Sequence, residues 1–154
     1  MTAPDPLDVL IVEDEVLLAE ELAFLVREAG LREVGRAMSS REAVALAAEL
    51  TPDLALVDVH LRDGPTGVEA ARLIVQDVGA VVLFMTANVA RLPSDYAGAC
   101  GVIGKPYSER AVKTALAYLE VCLRDGRAPG PPPLGLTLSP RYRELWDGGL
   151  AETG

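Results

Sequence analysis

The sequence predicts an α/β fold, a doubly wound five-stranded parallel sheet with helices on both faces. Two observations carry this expectation. Short apolar runs at residues 7–12, where only Asp8 is polar, 54–57 and 81–85, with a briefer one at 101–103, alternate with segments whose apolar residues recur at helical spacing. The runs also stop at polar, chemically capable residues: Glu13-Asp14, Asp58, Thr86-Ala87 and, just past the last run, Lys105-Pro106. Runs without polar alternation suit strands covered on both faces, and right-handed crossovers put the intervening helices there.

Taken in order, residues 7–12 are rich in branched side chains and read as the first strand. Val16, Leu17, Leu22, Leu25 and Val26 follow helical spacing, with Glu20 and Glu21 among them, and Gly30 serves as a helix stop. Residues 33–37 give a modest second strand. Ser39 and Glu42 form a capping box that opens an Ala-rich helix ending near Leu50, and Thr51-Pro52-Asp53 breaks the chain before the third strand. After a loop at 60–65, Thr66 and Glu69 form a second capping box for a helix from Gly67 to about Gln76. Residues 81–85 are the fourth strand. A helix is expected across 88–99, where Pro93 makes it short, late-starting or irregular. The fifth strand is brief, and Ser108 caps a last helix with Val112, Ala115, Leu116, Leu119 and Cys122 facing inward.

With 154 residues, 50% hydrophobic and 24% charged, the chain can build one domain with a core and is too short for two ordinary ones. The expected division is a domain at 1–126 followed by a Pro-rich linker and short tail at 127–154. Gly126, Pro129, Gly130 and Pro131-Pro132-Pro133 describe a polyproline-like connection. Beyond it, Ser139-Pro140 can cap a short helix carrying Tyr142, Leu145 and Trp146, which is marginal alone. That segment either frays or docks on the domain, on another copy or on a partner.

A net charge of −9 with only two lysines argues against direct nucleic-acid binding through phosphates, and about thirty residues after Leu123 cannot hold an ordinary helix-turn-helix domain. Cys100 and Cys122 read as reduced core thiols. The sequence shows neither a leader nor an apolar run long enough to cross a bilayer, so no membrane contact and a cytoplasmic location are expected.

In an open parallel sheet, ligands bind in the crevice outside the carboxyl ends of the strands. There Glu13, Asp14 and Asp58 would bring three negative charges against the single positive charge of Lys105. Carboxylates about 4 Å apart repel by roughly 4 kcal/mol at an effective dielectric of about 20, so the cluster needs a cation. Hard oxygen donors without His or Cys clusters favour Mg²⁺ over zinc. Given that ion, Asp58 can attack a phosphoryl donor and become an acyl phosphate. The added charge would draw in Lys105 and the Thr86 hydroxyl.

The ordered set Glu13-Asp14, Asp58, Thr86-Ala87 and Lys105-Pro106, each element after its own strand, resembles the receiver domain of bacterial two-component response regulators over about residues 7–123. The resemblance implies the flavodoxin-like receiver fold, with Asp58 as phosphoacceptor. Asp14, the Asp58 carboxylate and the His60 main-chain carbonyl would hold Mg²⁺, with Glu13 assisting through water. Thr86, with Ala87 beside it, and Lys105 would bind the phosphoryl group, and the side chains of His60 and Asn88 would tune its lifetime. His60 is equally read as an exposed loop residue.

Three departures stand out. Val102 replaces the aromatic residue that most receivers carry three positions before the lysine, with Tyr107 as a substitute ring. The loop holding Asp63-Gly64-Pro65 is one residue longer than usual, and Pro93 interrupts the fourth helix.

The function expected is a stand-alone receiver. It takes its phosphoryl group from a histidine kinase or histidine phosphotransfer protein and signals to a downstream protein, with self-association as a further contact. It is not an enzyme, beyond slow loss of its own phosphate. Two alternatives compete: an interaction module that ignores phosphorylation, and an aspartate-nucleophile phosphatase. The latter commonly needs a general-acid carboxylate just after the nucleophile, where Val59-His60 stands.

Overall fold

A computed structural model describes residues 5–147. The chain runs β1 (Asp8–Val12), α1 (Val16–Glu28), β2 (Arg32–Ala37), α2 (Ser40–Leu50), β3 (Leu54–Val57), α3 (Gly67–Leu73), β4 (Val81–Thr86), β5 (Gly101–Gly104), α4 (Glu109–Asp125), β6 (Leu136–Leu138) and α5 (Pro140–Trp146). The strand order is β2-β1-β3-β4-β5-β6. The first five strands are parallel, and β6 is antiparallel to β5.

Because side chains alternate along a strand, each central strand feeds two cores. Val9, Ile11, Leu54, Leu56, Leu83, Met85 and Ile103 face α1, α4 and α5. Leu10, Val12, Ala55, Val57, Val82, Phe84 and Val102 face α2 and α3. Both faces are therefore dry, which is why the strands lack polar alternation.

The caps behave unevenly. Ser39 Oγ accepts the Glu42 N–H at 3.1 Å, and Ser108 Oγ accepts the Ala111 N–H at 3.0 Å. Thr66 makes no cap bond to α3; its hydroxyl donates to Asp63 Oδ1 at 2.7 Å instead. Helix α3 continues into a wider turn, Ile74–Val78, and stops at Gly79, whose φ of 79° lies where side chains are strained.

The helix expected across 88–99 is replaced by two short 3₁₀ turns, Val89–Arg91 and Tyr96–Gly98. Pro93 supplies no N–H and pushes Leu92 into an extended conformation, at φ −70° and ψ 141°. Within the second turn Tyr96 and Ala97 take φ of 54° and 51°, left-handed values that rule out a right-handed helix there.

The five-stranded sheet also acquires a sixth strand. After α4 ends at Gly126, the described part of the following segment returns to the sheet, where β6 pairs with β5 and Trp146 is buried. Gly101 permits this approach: a Cβ there would lie 2.3 Å from the Thr137 carbonyl oxygen.

Candidate functional site

The carboxyl ends of β1, β3, β4 and β5 lie side by side, so residues remote in sequence converge. The Glu13 N–H is held by the Ala37 carbonyl at 2.9 Å as the chain leaves β1, and the Asp58 N–H by the Val12 carbonyl at 3.0 Å as it leaves β3. Lys105 follows β5, with its N–H on the Thr86 carbonyl at 2.8 Å. These main-chain bonds aim three side chains at one point. Lys105 Nζ donates to Glu13 Oε1 and to Asp58 Oδ2, both at 2.9 Å. One carboxylate oxygen from each of Glu13, Asp14 and Asp58 lies within 4.8 Å of the other two.

The charges are unequal, three carboxylates against one ammonium. Burial pushes the Glu13 carboxyl above its ordinary value, and the bonds from Lys105 and from the Glu15 N–H, 3.1 Å away, only partly oppose it. Burial also works against the Lys105 ammonium, but its hydrogen bonds to Glu13 and Asp58 outweigh that penalty and hold it well above the usual lysine range. Lys105 is thus a fixed cation, and the cluster retains excess negative charge. Hard carboxylate oxygens, with no thiol or imidazole in the cluster, fit Mg²⁺.

Around this centre, Asp58 Oδ1 accepts the His60 N–H at 3.3 Å, which turns the loop back over the carboxylate, while His60 itself is exposed. Thr86 is fully buried, and its Oγ1 accepts the Asn88 N–H at 3.1 Å, leaving the hydroxyl proton to be donated. Exposed Ala87 lies between them. Lys105, expected to be drawn toward Asp58 by added charge, touches it directly, Nζ lying 2.9 Å from Oδ2.

Val102 is buried on the face of β5 toward α2 and α3, so no ring occupies that position. The Tyr107 hydroxyl is buried without a hydrogen-bond partner among the described residues, and burial raises its phenol to about 12. Two positions that sequence spacing did not single out also shape the site. At Gly67 a Cβ would lie 2.0 Å from the Asp58 carbonyl oxygen, so only glycine closes the loop against Asp58. Asp63 ties that same loop to the start of α2. A polar turn ending in glycine hints at the first; nothing local reveals the second, whose partner Ser40 is 23 positions away.

Known proteins place this geometry. The chain is 33% identical over 112 residues to the phyllosphere-induced regulator PhyR of Methylorubrum extorquens, covering 71% of this chain and 42% of the relative. It is 38% identical over 109 residues to the transcriptional regulatory protein PdtaR of Mycobacterium tuberculosis, covering 67% and 51%. The chain thus spans about half the length of these curated relatives. Among solved structures, the receiver domain of Erythrobacter litoralis PhyR superimposes with a TM-score of 0.69 at 30% identity, covering 84% of this chain and 97% of that one. The family description "Response regulator receiver domain" matches residues 9–117. With the acidic cluster, the lysine and the 2-1-3-4-5 parallel order already in place, this chain belongs to the response regulator receiver domain family.

Proposed function

We propose that Asp58 accepts a phosphoryl group from a histidine kinase or histidine phosphotransfer protein in a Mg²⁺-dependent reaction, and that the protein signals through protein contacts. The observation that carries this reading is the Lys105 bridge to Glu13 and Asp58 inside a three-carboxylate cluster. The carboxylates of Glu13, Asp14 and Asp58 and the His60 carbonyl would hold Mg²⁺, which when bound supplies charge neutralisation for an incoming phosphoryl group.

An Asp58 oxygen forms the new O–P bond as the donor's N–P bond breaks, and the imidazole leaves with the electron pair. The side chain passes from a charge of −1 to about −2. Lys105 stays close to the new oxygens, and the Thr86 hydroxyl, free to donate, turns toward them. His60 and Asn88 flank the group and set how readily water reaches it.

Against a phosphatase stands the absence of a carboxylate immediately after the nucleophile, where Val59 and His60 follow Asp58. Slow self-dephosphorylation is the only turnover expected. The test is intact mass after incubation with Mg²⁺ and acetyl phosphate: one added phosphoryl group per chain, none in Asp58→Asn and none in EDTA. Release of many phosphates per chain would establish the phosphatase. Failure to label from acetyl phosphate or from any phosphohistidine donor would leave the phosphorylation-independent module.

A further inference from the structure

We propose that Asp63 is the positioning residue of the metal-binding loop: its carboxylate clamps the β3–α3 loop to the first turn of α2 and so holds the chain at His60 in place for Mg²⁺. The inference rests on the metal reading above and goes beyond it by naming a residue outside the ligand set.

The geometry is that of a staple across two loops. Asp63 accepts the Ser40 main-chain N–H at 3.0 Å on Oδ1 and 3.2 Å on Oδ2, and Oδ2 also takes the Ser40 hydroxyl. Oδ1 accepts the Thr66 hydroxyl at 2.7 Å. One carboxylate therefore binds the start of α2 and the residue before α3 at once. The bond to Ser40 also satisfies an otherwise open amide at the α2 N-terminus, where a negative charge is favoured. Ser39 already caps the Glu42 amide of that helix, so the two loops cap it jointly.

Main-chain bonds continue the clamp. The Arg62 N–H reaches the Met38 carbonyl at 2.9 Å, Leu61 and Gly64 exchange bonds of 2.9 and 3.0 Å, and the Gly67 N–H returns to the Val59 carbonyl at 2.9 Å. The path from Asp58 to Gly67 is thereby fixed at both ends and in the middle. His60 is the one residue of this loop whose carbonyl the metal needs, and its exposed side chain anchors nothing among the described residues. Groups behind the ligands that fix their orientation commonly change metal affinity by about 10–100-fold.

The test uses the full chain and Mg²⁺ alone, titrated by calorimetry, with hydrogen exchange of amides 59–66 in metal-free protein as a second readout. Asp63→Ala should weaken Mg²⁺ binding by about tenfold and speed exchange of the loop amides. Asp63→Asn, which keeps one acceptor oxygen, should recover part of both. Ser139→Ala, which removes the cap of α5 beside the amino end of β5, should lower thermal stability without altering Mg²⁺ affinity. If Asp63→Ala binds Mg²⁺ within twofold of the parent chain, or if Ser139→Ala loses as much affinity, the assignment is overturned. A parent chain that binds no Mg²⁺ overturns the metal reading and this inference with it, an outcome distinct from a parent and an Asp63→Ala variant that bind alike.

Discussion

Lys105 answers the electrostatic demand of the carboxylate cluster, and the proposed divalent cation would answer the same demand. The Lys105 ammonium bridges Glu13 and Asp58, and its hydrogen bonds more than offset the desolvation of its charge. Removing one partner of a buried ion pair leaves the other uncompensated, at a cost of 3–5 kcal/mol when burial is complete; Lys105 is part exposed, so about 1–2 kcal/mol is expected here. Lys105→Met should therefore melt lower than the parent chain in EDTA. It should also bind Mg²⁺ several-fold more tightly, because a competing positive charge has gone, and excess Mg²⁺ should restore most of the lost stability. Thermal scans with EDTA and with Mg²⁺ check both; a variant that stays destabilised in excess Mg²⁺ would contradict the shared role. The acidic pair and Asp58 were legible in the sequence because each directly follows an apolar run, and Lys105 because it lies two positions past one. The direct contact between Glu13 and Lys105 was not, since 92 positions separate them and only the strand order brings them together.

Elements differ in how far their own residues specify them. Strands β1, β3 and β4 were readable because burial on both faces demands apolar runs, broken in β1 only by half-buried Asp8 at its first position. Strand β6 was not, because Leu-Thr-Leu is too short to declare a strand and exists as one only by pairing with β5. The missing helix between β4 and β5 was half visible: Pro93 signalled trouble, but the left-handed Tyr96 and Ala97 follow from packing against α3 rather than from local propensity. Gly101 shows how one residue permits an element. Its missing Cβ makes room for the Thr137 carbonyl, so Gly101→Val should separate β6 from β5 while leaving the parallel strands in register. The chain has one tryptophan, Trp146, buried on α5 directly after β6. Its emission should shift to the red in Gly101→Val and remain unchanged if β6 stays docked.

For the whole molecule, the segment after α4 belongs to the sheet's architecture and not to its chemistry. Leu136, Leu138 and Trp146 are buried in the same core as α1 and α4, Tyr142 stacks edge-on against Trp146 at 4.8 Å, and the Tyr118 hydroxyl holds the Gly130 carbonyl at 2.8 Å. Each large apolar side chain fully buried contributes about 1.5–3 kcal/mol, opposed by the entropy of ordering the segment that carries it. None of Glu13, Asp14, Asp58, Thr86 or Lys105 comes from this segment. Deleting residues 127–154 should therefore leave Mg²⁺-dependent labelling by acetyl phosphate intact and lower the melting temperature. It should also uncover the β5 edge together with the apolar surface beneath α5, and an exposed strand edge beside an apolar patch favours pairing with another chain. Sedimentation velocity should show larger species for the truncated chain than for the full one at equal concentration. If the truncated chain sediments and melts like the full one, β6 and α5 contribute nothing to stability. If labelling is lost instead, the segment reaches the phosphoryl-acceptor site through β5, whose carboxyl end carries Lys105.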